Sequence, residues 1–385
     1  MSAPHLDLLT ADVLYTGMGL PQSPGGVVLS GGTVAATGHP DELRAAYPQA
    51  AERRAGRVIA PPPVNAHTHL DMSSYPFLAL PYFRWIPEHV IANRHLRGLE
   101  GARTGLESLR ASGAAAYGDI VWSPEVMEYL LRESDLPGVL YWEVLDPNPA
   151  SAEATFRATV ERVEAWRKLE RSGGPRVGLS PHATYTVSHR LFRLLADHAR
   201  REGLPLQIHV AEHPSELELF QSGAGELAVS LARYNWPFGL ADLFGRAPGA
   251  DLTPVSYLAD LGVLEARPTL VHMVAITEDD ARLVGQAGCP VVSCPRSNAN
   301  LHCGRMPWTL LAQQGVEIAL GTDSVASGET LNIFDEVRAA LSAHSELDPR
   351  LIVRAAVKGG RRVLGLATPF IRRGEAWDPA WVWPL

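Results

Sequence analysis

The sequence predicts an α/β protein, a (β/α)8 TIM-like barrel with a small β-sandwich domain formed by the N- and C-terminal segments. Three observations predict it. Eight short apolar runs alternate with segments of helical periodicity between about residues 64 and 345, the pattern of parallel strands joined by helices. Histidines and one aspartate stand at the ends of four of those runs, the face on which such a barrel carries its chemistry. The first sixty residues and the C-terminal stretch read instead as short strands broken by glycine and proline.

In chain order, the N-terminal strands fall at Asp12–Tyr15, Gly26–Leu29 and Thr33–Ala36, with a helix over Pro40–Tyr47. The barrel strands are Val64–His67, Ala114–Ile120, Gly138–Val144, Arg176–Ser180, Pro205–Val210, Thr269–His272, Pro290–Ser293 and Glu317–Gly321. Helical periodicity is clearest over Ala152–Leu169, Ser188–Arg201, Glu278–Ala287 and Leu331–Ser345. Two stretches break the rhythm: Trp85–Leu109, read as part of a lid, and Leu217–Leu264, too long for one loop and helix. Phe370–Leu385, with Trp377, Trp381 and Trp383, reads as a strand returning to the N-terminal sheet. The small β domain is therefore 1–60 with 366–385, and the barrel is 61–365.

Composition bounds the function. The chain has 385 residues, 46% hydrophobic and 20% charged, enough to bury a large core. Its 34 basic and 42 acidic residues leave a net charge of −8, which offers no basic field for nucleic acid or an anionic membrane. No run of about 18 apolar residues exists to span a bilayer. Met1–Leu8 lacks the basic and apolar regions of a signal peptide. Cys289, Cys294 and Cys303 form no C-x-x-C and read as buried hydrophobes in a reducing cytoplasm. The expected partner is a small-molecule substrate; oligomeric state is left open.

The strand ends carry the chemistry. The first ends in His67-Thr-His69, the fifth in His209 followed by Glu212, the sixth in His272 and the eighth in Gly321-Thr-Asp323. Alternate residues on a strand face one side, so His67 and His69 can reach one metal. His209 and Asp323 would complete a set of three imidazole nitrogens and one carboxylate. That set suits one divalent cation, zinc first, with iron or manganese tolerated. Such a metal lowers the pKa of a bound water to about 7. Glu212 is placed to take that water's proton, and His272 to orient it. A single histidine would read equally well as a hydrogen-bonded core residue; the joint placement is what argues for a site.

These residues sit in stretches that resemble the amidohydrolase superfamily, in its mononuclear aminohydrolase branch. The stretches are Val64-Asn-Ala-His-Thr-His-Leu-Asp-Met-Ser73, Ser180-Pro-His-Ala-Thr-Tyr-Thr-Val-Ser188, Ile208-His-Val-Ala-Glu212, Leu270-Val-His272, Cys294-Pro-Arg-Ser-Asn298 and Leu320-Gly-Thr-Asp-Ser324. That branch holds adenosine-like, S-adenosylhomocysteine, guanine and aminofutalosine deaminases and the triazine chlorohydrolases. The resemblance implies that His67, His69, His209 and Asp323 bind the metal. It implies that Glu212 shuttles the proton, that His272 stands beside the attacking water, that Asp323 relays a proton to the leaving amine, and that His182 binds substrate. Members with two metals bridge them by a lysine on the fourth strand. This chain has only Lys168 and Lys358, neither on a predicted barrel strand, which argues for one metal. It departs from the family in Pro61-Pro62-Pro63, where a Pro-Gly is usual, and in Trp377-Asp-Pro-Ala-Trp381, where an Ala-Asp-Leu strand is usual.

The implied activity is hydrolytic deamination of an aminopurine nucleoside. Tyr82, Phe83, Trp85, Trp122 and Tyr185 follow barrel strands and could stack on a heterocycle. Glu88 could meet ribose hydroxyls, and Arg84 or Arg94 a substrate carboxylate. This favours 6-aminodeoxyfutalosine, whose benzoate would want an arginine and which belongs to menaquinone biosynthesis, then adenosine or S-adenosylhomocysteine. The alternatives are a guanine or other free-base deaminase, a triazine-type chlorohydrolase using the same activated water, and a non-catalytic homologue. The Pro-Cys-x-x-Cys of cytidine-type zinc deaminases is absent.

Overall fold

A computed structural model describes residues 5–385; residues 1–4, the start of the N-terminal stretch read above, lie outside it. The N-terminal sheet comprises β1 (Leu6–Leu14), β2 (Gly25–Ser30), β3 (Thr33–Gly38) and β4 (Ala51–Ile59), in the order β3-β2-β1-β4. β1 pairs antiparallel with β2 and parallel with β4. Sequence reading misses β4. Its first half, Ala51-Glu-Arg-Arg54, is exposed on an edge strand and has no apolar alternation to betray it.

The C-terminal tail does not form the expected strand. It crosses the sheet through isolated bridges, Thr33 to Ala376 and Ile59 to Val382, with a 3-10 turn at Pro379–Trp381. Pro379 and Pro384 lack the N–H groups a ladder needs. The tail works through its aromatics: Trp377 and Trp381 pack on the cluster of Leu9, Val27, Ile59 and Ile371. Trp383 is buried against Phe334, and its indole N–H donates to Pro61 O at 3.2 Å.

Eight parallel strands follow: β5 (Asn65–Thr68), β6 (Tyr117–Val121), β7 (Gly138–Val144), β8 (Pro175–Pro181), β9 (Gln207–Val210), β10 (Thr269–His272), β11 (Val291–Ser293) and β12 (Ile318–Leu320). They form two ladders, β5-β6-β7-β8 and β12-β11-β10-β9. Parallel bridges join the ladders at Leu179–Leu206 and Ala183–His209 on one side and Thr68–Asp323 on the other. The fold is TIM-barrel-like. Neighbouring positions on the strands divide between two apolar clusters. Ile120, Val139, Tyr141, Val271, Val292 and Ala319 meet among the strands. Leu140, Leu179, Ile208 and Ile318 pack with helix residues such as Leu106, Leu130 and Leu195. The strands thus read as unbroken apolar runs because both faces are covered.

The two stretches that break the rhythm are helical. The first holds turns at Tyr82–Trp85, Ile86–Ile91 and Arg94–Leu96 before the helix Leu99–Ala111. The second holds Pro214–Ser222, Gly225–Ala232, Leu240–Phe244 and Pro254–Asp260. No helix among the described residues is long and apolar enough to cross a membrane.

The helical segment Ala355–Gly359 lies so close to β12 that a Cβ on Gly359 would fall inside the carbonyl oxygen of Ile318. Backbone offers no side chain to swing away. Gly359→Ala should therefore destabilise the fold by about 3 kcal/mol, read as a lower urea midpoint; an unchanged midpoint would show that the contact is not tight.

Candidate active site

The chain turns sharply where the strands end. His272, Asp323 and Ala211 have φ of 73°, 59° and 51°, a left-handed conformation that non-glycine residues adopt at a cost. Around these turns His67 (β5), His69 (just after β5), His209 (β9), His272 (β10) and Asp323 (after β12) come together. The ring centres of His67 lie 5.0 Å from those of both His69 and His209, and His209 lies 5.6 Å from His272. Asp323 is fixed from behind. Ser297 and Ser327 hydroxyls donate to its Oδ2 at 2.6 and 3.0 Å, leaving Oδ1 facing His69 Nε2 at 3.3 Å and His67 Nε2 at 3.7 Å.

The far ring nitrogens are anchored too. His67 Nδ1 pairs with Gln207 Oε1 at 2.7 Å, whose amide donates to Ala66 O. His209 Nδ1 donates to His182 O at 2.8 Å. Both anchors put the imidazole hydrogen on Nδ1 and leave an Nε2 lone pair. His67 Nε2 and His69 Nδ1 are buried with no hydrogen-bond partner. Burial pushes the pKa values of His69 and His209 well below the ordinary value, so both are neutral. Burial disfavours the charged form of Asp323, but the polar groups around it outweigh burial and hold the carboxyl well below the usual range. Imidazole nitrogens and an ionised carboxylate, with ligand atoms of His67, His69 and Asp323 all within 4.8 Å, fit a borderline divalent cation such as zinc. The lysine of a two-metal bridge is missing: Lys168 ends the helix Ala152–Arg167 and Lys358 lies in Ala355–Gly359.

Glu212 faces the same point. Burial raises its pKa well above the ordinary carboxyl range, and the charges of Asp323 and Glu216 push the same way. Its Oε1 is 3.6 Å from His272 Nε2. His272 Nδ1 is 2.9 Å from Asn298 Oδ1, which puts the hydrogen on Nδ1 and leaves the Nε2 lone pair facing Glu212. Burial lowers the His272 pKa to about 4. Tyr82 stands beside Glu212, its hydroxyl 3.0 Å from that of Tyr185.

A cavity of about 220 Å³ opens over these groups. Trp85, Tyr82, Trp122, Tyr185 and His182 line it. Arg84 and Glu88 do not. They pair with each other at 2.9 Å on an exposed face, and Arg94 is exposed as well. In their place the fold brings in Arg97 and Glu143, which sequence reading did not single out. Arg97 Nε donates to buried Asp71 at 2.8 Å and its guanidinium lies over Trp122. Glu143, at the end of β7, is 95% buried, yet its contacts are long: 3.4 Å to Arg97 and 3.7 Å to His182 Nε2. A glutamate inside the apolar run Gly138–Val144 is the signal that could have found it. His182 is oriented by Thr186, 2.8 Å from its Nδ1, and burial lowers its pKa.

The amidohydrolase family model matches residues 58–378, and a model of an imidazolonepropionase-like composite domain matches residues 25–50. The chain belongs to the amidohydrolase family. It is a hydrolase acting on carbon–nitrogen bonds. Aminodeoxyfutalosine deaminase of Deinococcus radiodurans is 62% identical to this amidohydrolase over 378 residues, covering 98% of this chain and 90% of that one. A 5-methylthioadenosine/S-adenosylhomocysteine deaminase of Syntrophobacter fumaroxidans is 29% identical, covering 89% and 76%. Among solved structures, a zinc-bound adenosine deaminase from Xanthomonas campestris superposes with a TM-score of 0.68 at 25% identity, covering 98% and 84%. Helicobacter pylori aminofutalosine deaminase with methylthio-coformycin reaches 0.73 at 18%, covering 97% and 91%, a likeness of fold.

Glu216 supports this amidohydrolase's site from below, accepting from Thr184 Oγ1 and from the Glu212 N–H. Burial raises its pKa to about 7. The folded state therefore holds a proton there that the unfolded chain releases near 4.5. That contribution is complete below pH 4.5 and is lost as pH rises to 7, by about 3 kcal/mol at roughly 1.4 kcal/mol per unit. Between pH 5 and 8, urea denaturation should show Glu216→Gln gaining on the wild type by most of that amount. A difference independent of pH would mean the carboxyl is already ionised.

Proposed function

We propose that this enzyme hydrolytically deaminates an aminopurine nucleoside, with 6-aminodeoxyfutalosine as the first substrate. The 62% identity to an aminodeoxyfutalosine deaminase across nearly the whole chain carries the substrate. The reaction class rests on one geometric observation: Glu212 and His272 face the same point as the imidazoles of His67, His69 and His209 and the Asp323 carboxylate. We assign His67, His69, His209 and Asp323 to one zinc ion, and read the eight strands as a closed barrel spanning 61–365, with 1–60 and 366–385 as the small β domain. The three buried free thiols suit a reducing compartment, the cytoplasm. The place in metabolism is the futalosine route to menaquinone.

The metal, when bound, supplies a water acidified to near-neutral pKa. The chain does the rest. Glu212 takes a proton from the attacking water and returns it to the ring nitrogen beside the carbon under attack. The water oxygen bonds to that carbon while the ring double bond's electrons move to the nitrogen. His272, neutral, accepts a hydrogen bond through Nε2 and holds the water on line. As the tetrahedral carbon collapses, Asp323 passes the water's second proton to the amino group, the carbon–nitrogen bond breaks, and ammonia leaves. Water and amine become carbonyl and ammonia, with no other reactant. His182 faces the ring. Glu143, buried but not saturated by its long contacts, accepts from the sugar hydroxyls in the role expected of Glu88.

Ammonia release from 6-aminodeoxyfutalosine tests the activity, and halogenated triazines should yield no chloride. Glu212→Gln should lower kcat by about 10²- to 10⁴-fold; full activity in this variant would sink the mechanism. Glu143→Gln should lower kcat/KM by about 10- to 100-fold, mainly through KM; an effect confined to kcat would remove it from sugar recognition. Mass spectrometry of the holoenzyme should find one metal per chain, and two would refute the single-metal assignment.

A further inference from the structure

Beside the reaction cavity lies a second chamber of about 400 Å³. The two share a wall of Tyr82, Ile86, Val90, Leu145, His182 and Tyr185. The outer walls come largely from the helical insertion. Helix Gly225–Ala232 presents Leu227 and Leu231, one turn apart on one face, while Val229 on the opposite side is 63% exposed. Tyr234 and Trp236 follow, stacked at 6.0 Å, with Phe238 stacked on Trp236 at 5.3 Å. Phe83 and Ile91 close the other side.

The chamber's chemistry is one-sided. Among the described residues lining it, none is arginine, lysine, aspartate or glutamate. His182 Nδ1 is already engaged by the Thr186 hydroxyl at 2.8 Å. The hydroxyls of Tyr82 and Tyr185 engage each other at 3.0 Å. A charged group placed here finds no partner and would lose solvation. A flat apolar ring finds aromatic faces and two leucines.

We propose that this chamber binds an uncharged aryl ring carried at the far end of the substrate's sugar, and that the ring, not a carboxylate, sets specificity. The inference rests on the deaminase reading. With the purine's amino carbon at Glu212 and the sugar hydroxyls at Glu143, the sugar's remaining substituent leads across the shared wall. A carboxylate on the ring points to the open mouth and meets water. The arginine expected for a benzoate is then unnecessary; Arg97 is already held by Asp71 and Glu143. The stretch 217–264, with no role assigned from sequence, becomes the specificity element.

The test compares three nucleosides on the holoenzyme: 5′-deoxyadenosine and analogues of it bearing phenyl or carboxyphenyl at the 5′ carbon. The phenyl analogue should exceed 5′-deoxyadenosine in kcat/KM by about tenfold or more, and the carboxyphenyl analogue should fall within about threefold of phenyl. Leu231→Asp, and the milder Trp236→Ala, should each bring the phenyl preference down by about tenfold. Both substrates are measured on the same sample, so any loss of folded enzyme cancels in the ratio. Should Leu231→Asp fail to fold, Trp236→Ala and the wild-type series decide. A wild-type preference near one, or a preference unmoved in the folded variants, overturns the chamber's role. A carboxyphenyl analogue more than about tenfold better than phenyl overturns the uncharged-ring claim. A wild type that deaminates none of the three overturns the deaminase reading itself, which separates the two failures.

Discussion

The buried carboxylate of Asp323 organises the catalytic face. An ionised group taken out of water costs several kcal/mol unless its lone pairs are engaged. Here two serine hydroxyls engage one oxygen, and two imidazoles face the other. That demand explains features far apart in sequence. Asp323 adopts a left-handed backbone to point inward. Gly321 has no side chain because a Cβ there would lie 2.7 Å from His67 Cβ and 2.9 Å from His67 N. The β5–β12 junction is thus held close enough for His67 and Asp323 to share a ligand.

The same burial separates the two acids of the site. Asp323 is driven down and Glu212 up by one environment, because imidazoles surround the first while the second faces Asp323 and Glu216. Carboxyls pushed apart in this way suit different tasks: Asp323 rests as the anion and binds a proton only in passing, while Glu212 holds one more readily. Holding Glu212 near other acids raises its affinity for a proton, which suits a group proposed to take one from the attacking water.

Much of this was legible in the sequence, and the reasons differ by element. The barrel strands were readable because burial on both faces leaves short unbroken apolar runs, as in Gly138–Val144. The candidate site residues were readable because they interrupt those runs at their ends. β4 was not, since an exposed edge strand carries no apolar period. The mouth misled for a physical reason. Arg84 and Glu88 are four residues apart on a helical turn, the spacing at which an exposed pair satisfies itself. Arg97 and Glu143, by contrast, are brought together across 46 residues by folding alone. No local pattern announces such a pair. The left-handed turns at His272 and Asp323 are silent for the same reason: neither is a glycine.

The insertion completes this logic. The reacting end of an aminopurine is small and common to many nucleosides, so contacts there cannot discriminate strongly between them. Discrimination has to come from a distant substituent, and binding energy from it can be used to hold the reacting carbon against Glu212 and His272. For that use the distant site must be rigidly connected to the catalytic one. Tyr82 makes the connection: it stands beside Glu212, bonds to Tyr185, and forms part of the outer chamber's wall. An aryl ring seated against that wall bears on the residue next to the proton shuttle. Its effect should therefore reach kcat as well as KM, which a ring merely parked at the surface would not do.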